Sequence, residues 1–346
     1  MKDHFTLTTG VMFRTPLIMV LIMAFSGCYI TADADKVQHR SPFVSKKEVL
    51  GVTLAREGLH YYSKGRYVDA ELKFRQALYL FPEADNIRLN LAVVLDRVGQ
   101  YQESISNYQK LLGHDPDELI FWAGLAHVYV SSGDYNRALK IYRQSLIKAL
   151  DDKDFKRAAS FSESLAALNF KLGFEEEARC YSELAYVLDS GQLQLENYLK
   201  LLVATNQITR SKSLLAALEP RQRSPFVMEQ FAILEYLDGN YQRAASMIAN
   251  ALENNHNPGL NLELELIKEL IHNRLPDLPA SDEQFVDSQS AEPVVESESD
   301  KLEQIEEEKR KRIERISNFL SGATVLYWPE EILTELKEII SQENEA

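Results

Sequence analysis

Small and apolar residues recur along the chain with a period of 34 residues, in three successive copies. The first copy carries Gly58, Tyr61, Gly65, Tyr67, Ala70, Phe74, Ala77 and Pro82. The second carries Ala92, Leu95, Gly99, Tyr101, Ser104, Tyr108, Leu111 and Pro116, and the third carries Trp122, Leu125, Ala126, Tyr129, Gly133, Tyr135, Ala138, Tyr142 and Ser145. Because residues three or four apart share one helical face, each copy predicts two short helices with an apolar side.

Glycines and prolines mark where these helices end. Gly65, Gly99 and Gly133 stand where the first helix of each copy must stop, since glycine adopts the left-handed C-terminal cap without steric cost. Pro82 and Pro116 end the second helix of their copies, because proline cannot continue a helix. The pattern therefore predicts antiparallel helix pairs that bury their apolar faces by stacking on one another.

Weaker copies extend the pattern toward residue 275. A fourth copy contains Leu165, Ala166, Gly173, Ala178 and Ala185, displaced by an insertion of six residues at 151–156. A fifth, near 195–218, is degenerate, with Asn206 at the turn and Ser211 in place of alanine, whereas a sixth contains Phe231, Ala232, Gly239, Tyr241, Ala244 and Ala251. One more amphipathic helix follows, apolar at Leu262, Leu266, Leu270 and Leu275, and it is expected to cap the stack.

This pattern resembles the tetratricopeptide repeat (TPR), a helix–turn–helix unit of 34 residues. The resemblance implies an all-α, right-handed superhelical solenoid of about six repeats plus a capping helix over residues 49–275. It also implies a curved binding surface for proteins, with no chemistry of its own. We therefore expect a non-catalytic protein that needs no cofactor.

The same resemblance implies a concave groove lined by the first helix of each repeat. Its expected wall comprises Leu59, Tyr62, Leu89, Asn90, Val93, Asp96, His127 and Val130. Some members of the family bind a C-terminal carboxylate there through lysines and asparagines. Asn90 matches one such position, but Ala55, Leu59, Ile120 and Gly124 occupy others, so this mode is not supported. A largely apolar groove suits a helix or an extended apolar segment of a partner.

Residues 1–27 have the features of a secretory signal. Lys2 and Arg14 precede nine apolar residues, 17–25, and Ser26 and Gly27 stand before Cys28. This ending resembles the lipobox of bacterial lipoproteins, which implies acylation of Cys28 and a membrane anchor, with residues 28–48 as an N-terminal linker. An ordinary secretory cleavage and a retained single-pass anchor are the alternatives. Because Tyr29 replaces the aspartate that often retains lipoproteins in the inner membrane, the resemblance favours the periplasmic face of the outer membrane.

The residue types needed for catalysis or metal binding do not cluster in the sequence. There is no metal-ligand spacing, no glycine-rich phosphate loop and no G-x-S-x-G motif. His114 and His127 are isolated on the repeats, and we expect them to be hydrogen-bonded rather than to bind a metal. Cys180, the only cysteine besides Cys28, is expected to be a buried and inert thiol.

Beyond residue 275 the composition becomes acidic. Residues 282–345 contain 18 acidic and 7 basic residues, a net charge of −11 out of −14 for the whole chain. The repeats are therefore nearly neutral, and charge does not direct the chain to nucleic acid or to anionic lipids. Residues 276–300, rich in serine, proline and acid, are expected to form a disordered linker.

Two helices are predicted in the tail, residues 301–346. One covers 301–320, and the second begins with Pro329 at its first position. The apolar face of the second helix comprises Ile332, Leu333, Leu336, Ile339 and Ile340. A helix of this length is marginal alone in water, so this face is expected to dock on the chain's own groove or on a partner. An inert, unfolded tail is the alternative.

Together these features resemble envelope assembly lipoproteins, such as the pilotins of type IV pili and the TPR adaptors of peptidoglycan enzymes. We therefore expect a lipid-anchored scaffold for protein partners in the bacterial cell envelope, serving a pilus or a secretion system. The alternative is a regulator or recruiter of a peptidoglycan enzyme that acts through the C-terminal helices.

Overall fold

A computed structural model describes most of the chain beyond residue 45. The described residues are 46–205, 207–218, 224–254, 258–272, 298–322 and 328–345. The predicted signal, Cys28, nearly all of the N-terminal linker and residues 276–297 of the predicted acidic linker lie outside them, as does Asn206 at the degenerate fifth turn.

The described part of the chain forms fifteen α-helices and contains no strand. They are α1 (Lys46–Ser63), α2 (Tyr67–Leu80), α3 (Asp85–Val98), α4 (Tyr101–His114), α5 (Leu119–Ser131), α6 (Tyr135–Asp151), α7 (Phe155–Leu172), α8 (Glu175–Leu188), α9 (Gln192–Ala204), α10 (Ile208–Ala217), α11 (Pro225–Leu237), α12 (Tyr241–Asn254), α13 (Pro258–His272), α14 (Glu298–Gly322) and α15 (Glu330–Glu345). Helices α1 to α12 make six consecutive pairs that match the six predicted repeats. The predicted all-α repeat fold is confirmed.

The chain divides into two compact units, with the boundary inside α7. The described part of the N-terminal unit comprises residues 46–168, and that of the C-terminal unit begins at residue 169. A core of the N-terminal unit joins α2 to α3 through Phe74, Ala77, Leu91 and Leu95. In the C-terminal unit, the core joins α9 and α11 to α12 and α13.

The glycines predicted to end the first helices adopt the expected conformation. Gly65, Gly99 and Gly133 have φ angles of +72°, +83° and +82°, in the left-handed region. Gly58 has a different role, because a β-carbon there would lie 2.8 Å from Cε1 of Phe74. The two helices of the first repeat can therefore approach closely only because residue 58 has no side chain.

The insertion at 151–156 lengthens helices. Helix α6 has 17 residues and α7 has 18, whereas α2 and α4 have 14 each. The turn between them places Lys153 at φ +56°, the one non-glycine residue with positive φ in the described part. The turn keeps the hydrogen bond from the Asp154 amide to the Ala149 carbonyl, at 2.8 Å, so the extra residues are accommodated without a long loop.

Helix α13 follows the sixth repeat as the predicted cap, and it packs into the C-terminal core. Leu264, Ile267 and Ile271 make this contact. The predicted apolar residues Leu262, Leu266 and Leu270 have side chains outside the described set, and Leu275 lies beyond the described residues altogether.

The two predicted tail helices are present, with shifted boundaries. Helix α14 begins at Glu298, inside the segment assigned to the disordered linker, and Pro329 immediately precedes α15 instead of opening it. The amides of Ile332 and Leu333 donate to the Pro329 carbonyl, so Pro329 caps the helix. Helix α15 packs on α14, and α14 packs on α8 of the fourth repeat.

Candidate protein-binding groove

The first helices of neighbouring repeats contact one another directly. In the N-terminal unit α3 contacts α5, although α4 separates them in sequence. This row of first helices carries every residue that the sequence assigned to the groove, on α1, α3 and α5. The residues on α3 and α5 therefore lie on one side of the unit, and those on α1 belong to the first helix of the preceding repeat.

Four of the predicted groove residues combine an apolar body with partial exposure. Leu59 and Tyr62 on α1, Val93 on α3 and Val130 on α5 are all half-buried. Tyr62 is held by Tyr67, with ring centroids 5.4 Å apart, and Leu59 packs against the core of the N-terminal unit. These side chains can bury further apolar area in a complex without rearranging the fold.

Leu89 and Asn90 contribute less surface than their positions in the repeat suggested. They are only 8% and 7% exposed, because the neighbouring helices cover them. The Asn90 amide therefore has little access to a partner, which agrees with the sequence argument that the carboxylate-binding mode of the family is not supported here.

Asp96 and His127 form a polar pair within this apolar surface. Nδ1 of His127 lies 2.9 Å from Oδ2 of Asp96. The side chain of His127 is 19% exposed and that of Asp96 is 7% exposed. The pair joins α3 to α5, so it ties the second repeat to the third. The other carboxylate oxygen, Oδ1, is buried and has no hydrogen-bond partner among the described residues. Since an unpaired buried acceptor is costly, the pair stabilises the junction less than a fully paired carboxylate would.

The opposite side of the N-terminal unit is held by ion pairs between second helices. Arg75 on α2 bonds Glu71 on the same helix and Glu103 on α4. The hydrogen bond from Arg75 holds the pKa of the Glu103 carboxyl below its usual range, although burial opposes this shift. This contact stiffens the junction of the first two repeats, and it lies away from the groove.

The histidine, cysteine and acidic side chains of the described residues are dispersed. No group of three or more histidine, cysteine or acidic side chains among them could hold a metal ion. His114 and His127 each have a ring nitrogen within 2.9 Å of an aspartate, as expected for hydrogen-bonded histidines. Cys180 is buried, and burial raises the pKa of its thiol. The thiolate that a nucleophile requires is therefore disfavoured.

The tail covers part of the C-terminal unit. Trp328, just before α15, lies between two rings, with its centroid 5.1 Å from that of Tyr181 on α8 and 5.2 Å from that of Phe319 on α14. Nε of Arg315 on α14 donates to the Val187 carbonyl of α8 at 3.2 Å. The tail thus docks on α8, the second helix of its repeat. It does not dock on the groove formed by first helices, which was one of the two sites expected from the sequence.

The five residues assigned to tail docking lie on one side of α15. Ile332, Leu333, Leu336 and Ile339 are buried, and Ile340 is half-buried. This face is buried because α15 packs on α14, and α14 in turn packs on α8. The apolar pattern located this face, but nothing in the sequence pointed to α8 as the helix that receives the tail, or to the contact between Asp96 and His127.

Among the described helices, none has the length and apolar character required to cross a membrane.

This chain is similar to several known proteins. Tetratricopeptide repeat family models match residues 55–118 and 97–160. The protein ycf37 of Guillardia theta is 25% identical over 146 residues, which are 40% of this chain and 80% of that protein. Among solved structures, a thermophilic TPR protein of Thermus thermophilus is 18% identical, with a TM-score of 0.36, over 64% of this chain and 99% of its own. Pseudomonas aeruginosa pilF is 17% identical, with a TM-score of 0.44, over 64% and 99%.

Both family models fall on the repeats whose helix pairs, glycine turns and groove residues are described above. Repeats of this kind generally form non-catalytic scaffolds for protein–protein interaction. The chain is a tetratricopeptide repeat protein.

Proposed function

We propose that this protein is a lipid-anchored scaffold of the bacterial cell envelope, which binds a protein partner along the groove side of α1, α3 and α5. One observation carries the binding proposal: four apolar side chains on the first helices, Leu59, Tyr62, Val93 and Val130, are only half-buried. Such side chains favour a segment that brings apolar side chains of its own.

The chemistry of the partner follows from these residues. Leu59, Tyr62, Val93 and Val130 favour an apolar helix or extended segment. His127, 19% exposed, is the member of the polar pair that a partner can reach, whereas Asp96, 7% exposed, holds the His127 ring in place.

The anchor proposal depends on Cys28 and on the leader that precedes it. The F-S-G-C sequence at 25–28 supports acylation, which would hold the repeats at a membrane surface, in our proposal the periplasmic face of the outer membrane. Assembly of a pilus or a secretion system is the process we propose, because a tethered scaffold can hold an envelope subunit while a machine is built.

The alternative, a regulator or recruiter of a peptidoglycan enzyme through the C-terminal helices, has less support. That role requires an apolar face of the tail to be available to the enzyme. Leu336 and Ile332 on α15 are fully buried within the protein itself, so the tail would first have to detach.

Two experiments test the parts of this proposal separately. A photo-crosslinking amino acid at position 62 should capture an envelope protein in living cells, and Val93→Asp should abolish the capture. The same amino acid at Gln102, on the outer side of α4, serves as the matched control. Equal capture from both positions would contradict groove binding.

The anchor is tested by Cys28→Ser. This change should leave an uncleaved precursor that takes up no labelled palmitate, because the acylated thiol is missing. Normal processing of the variant would refute lipid anchoring and would leave the groove experiment unaffected.

A further inference from the structure

The outer side of α2 carries an exposed apolar stripe formed by Val68, Leu72 and Tyr79. These side chains are 68%, 53% and 86% exposed. At 3.6 residues per turn they fall within about 60° of one another around the helix and extend over roughly 16 Å. Val49 and Leu50, also exposed, lie at the same end of the helix pair as Tyr79, since Nζ of Lys47 is 5.4 Å from the ring centroid of Phe81. We call these five residues the first-repeat stripe.

The repeat architecture does not require apolar residues at these positions. In the second repeat the positions equivalent to Val68, Leu72 and Tyr79 are occupied by Gln102, Ser106 and Gly113. All three are exposed. In the third repeat the first two positions are Asn136 and Lys140, both exposed, and the third is Ile147, which is half-buried. The fold therefore tolerates polar residues at most of the equivalent sites, so it does not require the apolar side chains of the first repeat.

The stripe is concentrated in one region of the molecule. Of the eight exposed large hydrophobic side chains in the part of the chain that the structure describes, five belong to α1 and α2. Although the repeats as a whole are nearly neutral, so that their total charge does not attract anionic lipids, the charge of the first repeat differs from that of the rest. Residues 46–81 contain 7 basic and 4 acidic residues, a net charge of +3, whereas residues 82–115 contain 3 basic and 5 acidic residues, a net charge of −2.

The position of the stripe along the chain places it near the proposed anchor. Only the 17 residues 29–45 separate Cys28 from the start of α1. A fully extended segment of this length spans at most roughly 60 Å. The first repeat would therefore stay beside the bilayer, where even a weak contact is favoured by high local concentration.

We propose that the first-repeat stripe rests on the surface of an anionic membrane, a proposal that builds on the lipid anchor at Cys28. Apolar area combined with positive charge is what binds a helix in the plane of such a surface. Tyr79 suits this position, since a tyrosine ring has an apolar body and a polar tip and is enriched at membrane interfaces. The groove would then be held in a fixed orientation toward its partner.

The test uses the full, acylated chain with Cys180 replaced by serine. A single cysteine is introduced by Leu72→Cys and labelled with an environment-sensitive nitrobenzoxadiazole group. Ser106→Cys, at the equivalent position of the second repeat, is the matched control. Both proteins are incorporated into phosphatidylglycerol–phosphatidylethanolamine vesicles, with and without a nitroxide-labelled lipid.

We expect a blue shift of the emission and strong quenching by the nitroxide lipid at position 72, with neither effect at position 106. A second change, Val68→Gln, copies the residue of the second repeat and should reduce the quenching at position 72. Equal, solvent-like emission from both positions would overturn the proposal. Protection of position 72 in native membranes but not in pure lipid vesicles would also overturn it, because it would assign the stripe to a protein.

Mass spectrometry of the amino terminus shows independently whether Cys28 is acylated. If it is not, the anchor proposal fails, and the same proteins with Cys28→Ser added, so that the introduced cysteine is again the only thiol, are mixed with the same vesicles. A blue shift at position 72 alone would then support membrane contact by the stripe, and no difference between the two positions would overturn it.

Discussion

Docking of the C-terminal helices depends on Leu336, and replacing it provides a direct test of this contact. The Leu336 side chain is fully buried on the inner face of α15. At a fully buried site, Leu336→Ala should weaken the free energy of docking by about 2–5 kcal/mol, because apolar area is lost and a cavity remains. At 1.4 kcal/mol per factor of ten, the docking equilibrium should fall roughly 30- to 4,000-fold. Glu338→Ala, at an exposed position on the same helix, is the matched control.

Two measurements report the docking of α15. Hydrogen exchange of residues 331–341 should accelerate by about the same factor as the change in equilibrium, if exchange proceeds through undocking. The second measurement is the fluorescence emission of the buried Trp328. It is made in a Trp122→Phe background, in which Trp328 is the only tryptophan. Its emission should move to longer wavelength when Leu336 is replaced and should stay unchanged in the Glu338→Ala control.

The same experiment can refute the reasoning. If residues 331–341 exchange at equal rates in the Leu336→Ala and Glu338→Ala proteins, α15 is not held by its apolar face. Slow exchange in the wild type together with unchanged Trp328 emission in Leu336→Ala would contradict the role of this leucine. Circular dichroism with thermal melting checks that the repeats remain folded in every variant.

Three further predictions concern the repeats. Gly133→Val should lower the thermal midpoint of unfolding, because a branched side chain at φ +82° is strained by about 1–3 kcal/mol. Gly113→Ala, in helix α4, should leave the midpoint equal or higher. Equal midpoints for the two variants would contradict the predicted strain at residue 133. Gly58→Leu should destabilise the protein in urea by about 1–3 kcal/mol, because the new side chain collides with Phe74, and an unchanged midpoint would show that Phe74 moves aside freely. Cys180 should react slowly with a thiol reagent at neutral pH, since burial raises its pKa and reduces the thiolate; reaction in the native protein as fast as in urea would be the contrary result.

The local architecture of this protein can be predicted from its amino-acid sequence. The glycines at the turns and the spacing of small and apolar residues reflect interactions within one helix pair or between adjacent pairs. These are contacts over short distances along the chain, so a repeated pattern reports them directly. The left-handed φ angles of Gly65, Gly99 and Gly133 agree with this pattern.

The sequence also selected the apolar face of α15 without revealing where it docks. Its periodicity requires that Leu336 and its neighbours be covered, but the covering helix is not specified by that pattern. Contact between Trp328 and Tyr181 joins residues far apart in the chain, and no local pattern specifies such a pair. The three-dimensional packing of α14 on α8 decides it.

Tertiary structure likewise decided which groove residues remain accessible. Residue spacing placed Asn90 and Asp96 on the same side, but neighbouring helices cover Asn90, and His127 of the next repeat binds Asp96. Burial and pairing depend on how adjacent repeats are rotated and how closely they approach. Spacing along one helix does not fix those quantities, because they result from the packing of side chains between helices.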